Sequence, residues 1–307
     1  VDNAGNVYVA GFFSGIARFQ NQTLSSQGQE DAFVAKYDAN GVLQFVRTYG
    51  GSLRDLLFDV SVDGQGNIYA TGQFQSTVNL GQQSFTSNGD FDAIVVKWDA
   101  AGNFVWANTL GSTGADQGWS LDVNGNAVFV AGFFNNTATW LRANANNSLT
   151  SDGNTDAFVA RLDAQSGAVS WARKEGGANA DYSYGLDSDG NGNVYVAGRF
   201  AGSVNFAGIA ARSSRNQSDD IFVIKYDANG NFAWVNTAGG TESDFAYDVT
   251  VGSGNNIYVV GQFQGSFNYL NGSNSAFNLT SRGSYDVFLA RYDVNGNVLS
   301  TQGYGSI

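Results

Sequence analysis

Residues 31–41 read DAFVAKYDANG, and the chain of 307 residues repeats this stretch four more times. The copies are FDAIVVKWDAAG at 91–102, TDAFVARLDAQSG at 155–167, DDIFVIKYDANG at 219–230 and YDVFLARYDVNG at 285–296. A second motif, typified by NVYVAGFF at 6–13, precedes each copy, and its glycines are Gly11, Gly72, Gly132, Gly198 and Gly261. Their spacings of 61, 60, 66 and 63 residues indicate one supersecondary unit copied along the chain.

Each repeat divides into four short segments rich in Val, Phe, Tyr and Ile, with Gly, Asn and Asp between them. The first segment reads FDVSV at 58–62, the second is the NVYVAG motif, the third is AFVAKY, and the fourth follows the DANG turn. Asn-Gly and similar pairs favour tight hairpins between such segments. The sequence therefore predicts an all-β fold, a β-propeller of about five four-stranded antiparallel blades.

The two ends of the chain depart from this pattern. The first segment occurs four times, near Phe58, Trp119, Tyr184 and Tyr247, whereas the other three segments occur five times. We therefore expect the first blade to lack its innermost strand in this chain. Residues 1–307 would form a single domain of five repeats of ~60–66 residues. That domain is either a five-bladed ring or a segment of a longer chain, and both alternatives stay open.

Charge and composition narrow the range of functions that the chain can have. The chain has 15 basic and 27 acidic residues and a net charge of −12, so it lacks the clustered Lys and Arg that nucleic-acid binding needs. It has no run of 18 apolar residues, and we expect no membrane insertion. It has no Cys and no His, which are the usual thiolate and imidazole groups of catalytic and zinc sites. We therefore expect a protein that is not an enzyme.

The repeated strings resemble a known family. The pattern D-x-F-V-A-K-Y-D-x-N-G, together with G-N-x-Y-V-x-G-x-F, is similar to the bacterial SBBP β-propeller repeat and covers nearly the whole chain. This resemblance implies a propeller in a secreted or surface-attached bacterial protein, and it implies no single activity. Residues 160–171, ARLDAQSGAVSW, also resemble the tryptophan-docking motif of quinoprotein propellers. We interpret that second likeness as shared turn and packing mechanics.

One face of the predicted blades is the better candidate for function. The connection between the second and third segments is long and differs in every repeat, and variable loops on a regular scaffold are where specificity usually lies. The links between repeats share that face, and each ends in an Asp with an aromatic residue three positions later. These acids are Asp55, Asp116, Asp181 and Asp244, and three of the aromatic residues are Trp119, Tyr184 and Tyr247. They would line the mouth of a channel as a polar or cation-binding funnel, or each Asp would cap its own turn, which we favour.

Three other sets of residues are candidates for function. Trp140, Phe267 and Tyr269 lie in the long connections. They would either be exposed, to stack on a glycan or to anchor a protein, or fold back as the core of the loops. Asp187, Asp189 and Asn191 in DSDGNGN resemble the start of a calcium loop, although Gly198 stands at its usual glutamate position. Glu175 and Glu242 lie in the links, but neither has an apolar setting that would raise its pKa to suit an acid catalyst.

The sequence as a whole favours a non-catalytic, extracellular or cell-surface binding or scaffold propeller in a bacterium. Its partner would be a protein or glycan ligand on the variable-loop face, and it would need no cofactor unless calcium binds. Adhesion or structural assembly would be its role. The alternative is a carbohydrate-active hydrolase with carboxylate catalysts at the channel mouth. A quinoprotein-like redox role is a third hypothesis.

Overall fold

A computed structural model of the chain describes residues 1–142, 148–208, 211–269 and 277–306. The fold is all-β, as predicted, and the segments of each repeat form strands, four in the second to fifth repeats and three in the first. The first repeat contains β1 (Val7–Phe13), β2 (Ile16–Phe19), β3 (Gln22–Ser25), β4 (Asp31–Tyr37) and β5 (Leu43–Tyr49). The second contains β6 (Leu56–Val62), β7 (Ile68–Leu80), β8 (Gln83–Trp98) and β9 (Phe104–Gly111).

The remaining repeats follow the same order. The third contains β10 (Gln117–Asn124), β11 (Ala127–Trp140), β12 (Leu149–Asp163) and β13 (Val169–Glu175). The fourth contains β14 (Tyr182–Ser188), β15 (Val194–Ala201), β16 (Ser203–Val204), β17 (Arg212–Ser213), β18 (Asp219–Tyr226) and β19 (Phe232–Gly239). The fifth contains β20 (Phe245–Val251), β21 (Ile257–Tyr269), β22 (Leu279–Tyr292) and β23 (Val298–Tyr304). Short 3-10 turns lie at Phe206–Gly208, Arg215–Gln217 and Ser253–Asn255.

Antiparallel pairing between sequence neighbours makes each repeat a blade. In the second repeat β6 pairs with β7, β7 with β8 and β8 with β9, and the fourth and fifth repeats pair in the same way. The first repeat forms a three-stranded sheet in the order β1, β4, β5. Four antiparallel strands per repeat, and three in the first, agree with the predicted blades. Pairing of β9 with β11 and of β19 with β21 joins these strands further into two eight-stranded sheets.

Asp and Gly shape the tight turns between strands. Between β6 and β7, the carboxylate of Asp63 accepts hydrogen bonds from the backbone N–H groups of Gln65 and Asn67, both at 2.9 Å. Gly66 completes the turn with a φ of 82°, a left-handed conformation that glycine adopts at least cost. The same carboxylate-capped turn recurs at Asp2, Asp38, Asp99, Asp189, Asp227 and Asp293.

The variable connections are folded hairpins, where we expected open loops. In the second repeat β7 and β8 continue past the blade and stay paired down to Leu80 and Gln83. We call this extension the arm; it spans residues 76–87 there, and the first repeat forms its arm from β2 and β3. Each arm begins at a residue with positive φ, namely Gly15, Ser76, Asn136, Gly202 or Gly265. Residues 143–147, 209–210 and 270–276 of these connections lie outside the described part of the chain.

The arms cover strand edges of the preceding repeat. The end of β11 pairs with β9, with Thr139 opposite Gly111 and Trp140 opposite Leu110. The end of β21 pairs with β19 in the same way, with Tyr269 opposite Ala238. The unpaired edge of an outer strand can form backbone hydrogen bonds with another chain. The arm of the following repeat pairs with that edge and so covers it.

The chain folds as two compact units. The first comprises Val1–Val130, Phe134–Thr150 and Arg161–Ser170, and the second comprises Ala131–Phe133, Ser151–Ala160 and Trp171–Ile307. Each unit buries its own apolar core, centred on side chains such as Phe74 and Ile94 in the first and Phe263 and Phe288 in the second. A single ring of five blades stays a prediction. No helix in the described part of the chain is long and apolar enough to span a membrane.

Candidate functional site

The first strands of the second, fourth and fifth repeats each carry a bulge that positions an aromatic side chain. Register shifts fall between Leu57 and Asp59 in β6, between Ser183 and Gly185 in β14, and between Ala246 and Asp248 in β20. The extra residues are Phe58, Tyr184 and Tyr247, which include two of the predicted site residues. A bulge leaves one residue outside the regular pairing and redirects its side chain. In the first unit Phe58 stacks on Trp119, with ring centroids 4.7 Å apart.

In the second unit these side chains form a larger group, which we call the tyrosine–arginine cluster. It consists of Tyr182, Tyr184, Arg199, Phe245, Tyr247 and Tyr285. Neighbouring rings lie 5.9–6.2 Å apart along the cluster. Tyr247 and Tyr285 remain 47% and 46% exposed, so the cluster is open to solvent at these two rings. The structure thus brings together the predicted residues Tyr184 and Tyr247.

Arg199 holds the centre of the cluster. Its guanidinium lies 4.4 Å from the ring centroid of Tyr182 and 5.2 Å from that of Phe245. Its Nε donates a hydrogen bond to the hydroxyl of Tyr184 at 3.0 Å, and its Nη1 lies 2.5 Å from a carboxylate oxygen of Asp219. Cation–π contacts and the ion pair hold the guanidinium against the two rings. Burial raises the pKa of Tyr184, and the charge of Arg199 opposes that rise.

The four link aspartates are buried and cap their own turns, which is the interpretation that we favoured over an open channel mouth. Asp55 accepts hydrogen bonds from the backbone N–H groups of Gly51 at 2.7 Å and Gln75 at 3.1 Å, and its own N–H donates to Glu30. Asp116, Asp181 and Asp244 make the equivalent contacts. Each carboxylate therefore ties the link to its own blade, while its N–H ties it to the preceding blade. Ligand binding by these aspartates stays a prediction. Their carboxylates would contribute to it by holding the backbone of the link in place.

A second buried aspartate accompanies each link. These residues open the third strand of each blade and are Asp31, Asp92, Asp156, Asp220 and Asp286. Desolvation raises the pKa of Asp92 to about 7 and, helped by the neighbouring Asp220, that of Asp244 to about 8. Desolvation likewise raises the pKa of Asp55 and Asp116 to about 6. The links therefore hold carboxyl groups that stay protonated well above their usual range.

Trp140 was expected either to be exposed or to fold back into the core of its loop, and the structure shows the buried alternative. It ends β11, only 3% of its surface is accessible, and it lies opposite Leu110 of the preceding repeat. Phe267 is also buried, and Tyr269 is half-buried, with its hydroxyl 3.3 Å from that of Tyr292. The physical reason is that the arms are paired hairpins packed on the blades. Their aromatic side chains fill that packing and are unavailable for stacking on a ligand.

The structure does not bring the predicted calcium ligands together. Both carboxylate oxygens of Asp189 cap its own turn, accepting from the backbone N–H of Asn191 and from Asn193. One carboxylate oxygen of Asp187 instead accepts from Thr250 at 3.0 Å and Val251 at 2.7 Å in the next repeat. Within the described ranges, no group of three or more acidic residues is arranged to hold a metal ion. Calcium binding stays a prediction, and it would require both networks to open.

The two link glutamates have different settings, and one of them departs from expectation. Glu242 is exposed, whereas Glu175 is buried at the end of β13, where its carboxylate accepts a hydrogen bond from the N–H of Ala207 at 3.0 Å. Desolvation raises the pKa of Glu175 to about 8, so the expectation of an ordinary pKa was wrong for this residue. A protonated carboxyl suits a general acid, but only 2% of this residue is exposed. A hydrolase stays the alternative hypothesis.

Sequence reasoning missed a contact that joins successive blades. The carbonyl of Ala164 accepts hydrogen bonds from Trp106 Nε1 at 3.2 Å and from Lys97 Nζ at 2.7 Å. The carbonyl of Val294 accepts from Trp234 and Lys225 in the same way, both at 3.0 Å. The signal was present in the sequence, because Lys97 and Lys225 each lie two residues before an Asp that caps a turn, and Trp106 and Trp234 each lie seven residues after it. These contacts hold neighbouring repeats together. They support the interpretation that residues 160–171 resemble the tryptophan-docking motif because they share its turn geometry and side-chain packing.

Comparison with known proteins agrees with the propeller fold. The family model described as Beta-propeller repeat, SBBP, matches residues 171–199. The regulatory protein FlaEY of Caulobacter vibrioides is 29% identical over 165 residues, which cover 52% of this chain and 17% of that protein. An uncharacterised WD repeat-containing protein of Acanthamoeba polyphaga mimivirus is 28% identical over 115 residues, covering 32% of this chain and 8% of that protein. The chain thus spans less than a fifth of the length of these relatives.

Solved structures show a more distant likeness. A europium-containing methanol dehydrogenase matches 90% of this chain and 48% of its own, with a TM-score of 0.43 and 12% identity. A quinohemoprotein alcohol dehydrogenase from Comamonas testosteroni matches 100% of this chain and 65% of its own, with a TM-score of 0.36 and 10% identity.

Proposed function

Residues 171–199 of this chain are a β-propeller repeat of the SBBP family, and on that premise we propose a non-catalytic binding module that recognises another protein. We place it outside the cell or at the cell surface of a bacterium, where the resemblance to the family puts such repeats. The five repeats would form one five-bladed ring. Adhesion or structural assembly would be the role of the whole protein.

The observation that carries this proposal is the tyrosine–arginine cluster. Tyr247 and Tyr285 are half-exposed aromatic rings on rigid strands, and Arg199 fixes the rings beneath them. Exposed tyrosines that are held in one conformation lose little entropy on binding, which is why they are common in protein interfaces. The buried aspartates hold the links and leave the aromatic rings as the accessible part of the predicted site.

The charge of the chain indicates the chemistry of its partner. A net charge of −12 steers a basic surface toward the molecule, and exposed tyrosine rings accept Lys and Arg side chains through cation–π contacts. The relatives are named as a regulatory protein and a WD repeat-containing protein, and we take both names as support for protein recognition. The partner would therefore be a protein with a basic binding surface.

The test uses a fluorescently labelled peptide of alternating Arg and Ser, titrated with the intact chain. We expect binding that weakens with added salt and that falls roughly tenfold in a variant carrying Tyr247→Ala and Tyr285→Ala. Tyr304→Ala is the matched control, because Tyr304 is 54% exposed and lies outside the cluster. Equal binding by the double variant and the wild type would contradict the proposal. Binding of chitohexaose in place of the peptide would make the ligand a glycan and overturn the choice of a protein.

A further inference from the structure

The arm of the second repeat differs from two of its counterparts in what it pairs with. In the third and fifth repeats, the end of the second strand pairs with the outer strand of the preceding blade, β9 or β19. Residues 1–142 are all described, and within them the end of β7 makes no such pairing, so that the first sheet ends at β5. Between β5 and this arm lies a cavity of about 550 Å³, a volume typical of small-molecule sites.

The third repeat shows what fills this place when the arm is longer. There the arm continues along β9, and the N–H of Leu141 donates to the carbonyl of Thr109 at 2.9 Å. Thr48 holds the position of Thr109 in β5, and it lines the cavity. The arm of the second repeat turns back at Gly81, which has a φ of 59°, and does not continue along β5. The cavity is therefore a place where a polar group of the chain binds the outer strand in the third repeat and not in the second.

Side-chain amides form much of the wall of this cavity. Asn79, Gln82 and Gln83 lie on the arm, Asn103 lies on the turn before β9, and all four are exposed. The side chain of Gln82 makes no hydrogen bond to the described part of the chain. An amide both donates and accepts hydrogen bonds, as the hydroxyl group of a sugar does. Among the described residues that line the cavity none is Asp or Glu, although the chain has 27 acidic residues.

Arg47 adds a guanidinium that is already held in place. Its Nε, Nη1 and Nη2 donate to the carbonyls of Gly102 at 2.7 Å, Val46 at 3.1 Å and Ala101 at 3.2 Å. The guanidinium also lies 4.8 Å from the ring centroid of Phe45. A guanidinium has five N–H donors, so these three bonds fix its plane and leave two donors for a ligand.

Phe104 and Val105 add apolar surface to the same cavity. Phe104 is half-buried and Val105 is 44% exposed. In a sugar whose hydroxyl groups are equatorial, the polar groups surround the edge of the ring and the C–H groups form its two faces. Such a ring would place one face on the apolar residues and its edge against the amides.

The length of the cavity favours a compact ligand over a continuous strand. The base of the arm still packs on the link, because a Cβ at Gly51 would lie 2.4 Å from the carbonyl oxygen of Thr77. The space between the arm and β5 is therefore confined to the end of the arm. An added strand would need a longer unpaired edge to form its main-chain hydrogen bonds.

We propose that this cavity binds one sugar unit of a neutral oligosaccharide with equatorial hydroxyl groups, such as a chain of β-linked glucose. Arg47 and the amides would hydrogen-bond the hydroxyl groups, and Phe104 and Val105 would contact the C–H face. The choice of a neutral sugar follows from the net charge of −12, which repels acidic sugars.

The experiment titrates cellohexaose into the intact chain by isothermal titration calorimetry. We expect saturable binding by the wild type and a loss of about fivefold in Gln82→Ala, which corresponds to about one hydrogen bond. Because Gln82 is exposed and its side chain has no hydrogen bond to the described chain, we expect this variant to fold normally. Gln22→Ala is the matched control, since Gln22 is an exposed glutamine on the arm of the first repeat and does not line the cavity. It should bind as the wild type does.

Three results would overturn the proposal. They are no binding of cellohexaose up to about 10 mM, equal binding by Gln82→Ala and wild type, and loss of sugar binding in the variant with Tyr247→Ala and Tyr285→Ala. The last result would place the sugar on the tyrosine–arginine cluster.

A peptide distinguishes a strand from a sugar as the occupant of the cavity. Its sequence is TATWLR, that of residues 137–142 at the end of the arm in the third repeat. Binding of this peptide that weakens in Gln82→Ala, with no binding of cellohexaose, would show that a strand fits the cavity and would overturn the proposal. The outcome is independent of the proposed function, since Gln82→Ala leaves the tyrosine–arginine cluster intact.

Discussion

At the scale of single residues, a tryptophan ring packs directly on a turn glycine. The Nε1 of Trp171 donates to the carbonyl of Ala228 at 3.1 Å, and its ring covers Gly230. A Cβ on Gly230 would lie 2.6 Å from that ring, and the residue has a φ of 76°. Both facts exclude a side chain there, the first by overlap and the second by backbone strain.

We therefore predict that Gly230→Ala lowers the free energy of unfolding by about 1–3 kcal/mol, the usual cost of a left-handed non-glycine residue. Urea denaturation followed by tryptophan fluorescence measures this change. Gly190→Ala is the matched control, because Gly190 lies in a similar turn with open space around its Cβ position and no positive φ. Equal losses in the two variants would show that the Trp171 contact contributes nothing.

The sequence was a good guide to residues whose role is local. Asn-Gly and Asp-Gly pairs predicted the turns, because a left-handed glycine and a capping carboxylate act within five residues of one another. The sequence left exposure and burial of Trp140 both open, since its burial depends on pairing with a strand about 30 residues earlier in the chain. Tyr184 and Tyr247 were found through their recurrence, but their arrangement around Arg199 depends on bulges that no local pattern reveals.

At the scale of elements, the arms were the main feature that sequence reasoning did not predict. The segments between the second and third strands vary in length and composition, and variability usually indicates an open loop. Here each arm begins at a residue with positive φ. In the second repeat this residue is Ser76, whose backbone N–H donates to the hydroxyl of Ser87 at 2.9 Å. Equivalent bonds join Gly15 to Ser26, Gly202 to Ser214 and Gly265 to Ser281. A recurring serine was the available signal.

We predict that loosening an arm opens the strand that it covers. The N–H of Leu141 donates to the carbonyl of Thr109 at 2.9 Å, at the end of the pairing between β11 and β9. Leu141→Pro removes this donor, and we expect faster aggregation on mild heating because the edge of β9 becomes available. Static light scattering against temperature measures the effect. Leu141→Ala keeps the N–H, so aggregation equal to that of the proline variant would contradict the prediction.

At the scale of the whole molecule, the buried acids make stability depend on pH. Desolvation raises the pKa of Asp116 to about 6, of Asp181 to about 7 and of Asp244 to about 8. Between the ordinary aspartate pKa of about 4 and these raised values, the folded chain keeps protons that the unfolded chain releases. The stability that these groups contribute is complete below about pH 4 and is lost as pH rises through 6 to 8.

We therefore predict that the melting temperature falls by at least about 3 °C between pH 5 and pH 8. Aspartates that cap exposed turns, such as Asp99 and Asp227, have lowered pKa values because they accept hydrogen bonds from Asn side chains and backbone N–H groups. They are ionised in both states across this window and do not oppose the trend. Asp244→Asn, which cannot titrate, should flatten the curve. A melting temperature that rises with pH would contradict the prediction.

Because an outer strand is covered by the arm of the next repeat, it is synthesised before the segment that covers it. A ribosome releases β9 before it has made the arm of the third repeat, and β19 before that of the fifth. At ~5–20 residues per second, a stretch of about 30 residues takes roughly 1.5–6 s to synthesise. During that interval the nascent chain carries a bare strand edge on β9 or β19, which the arm of the following repeat then closes. We therefore expect misassembly during synthesis to begin at these two strands, before the arm that covers each of them is made.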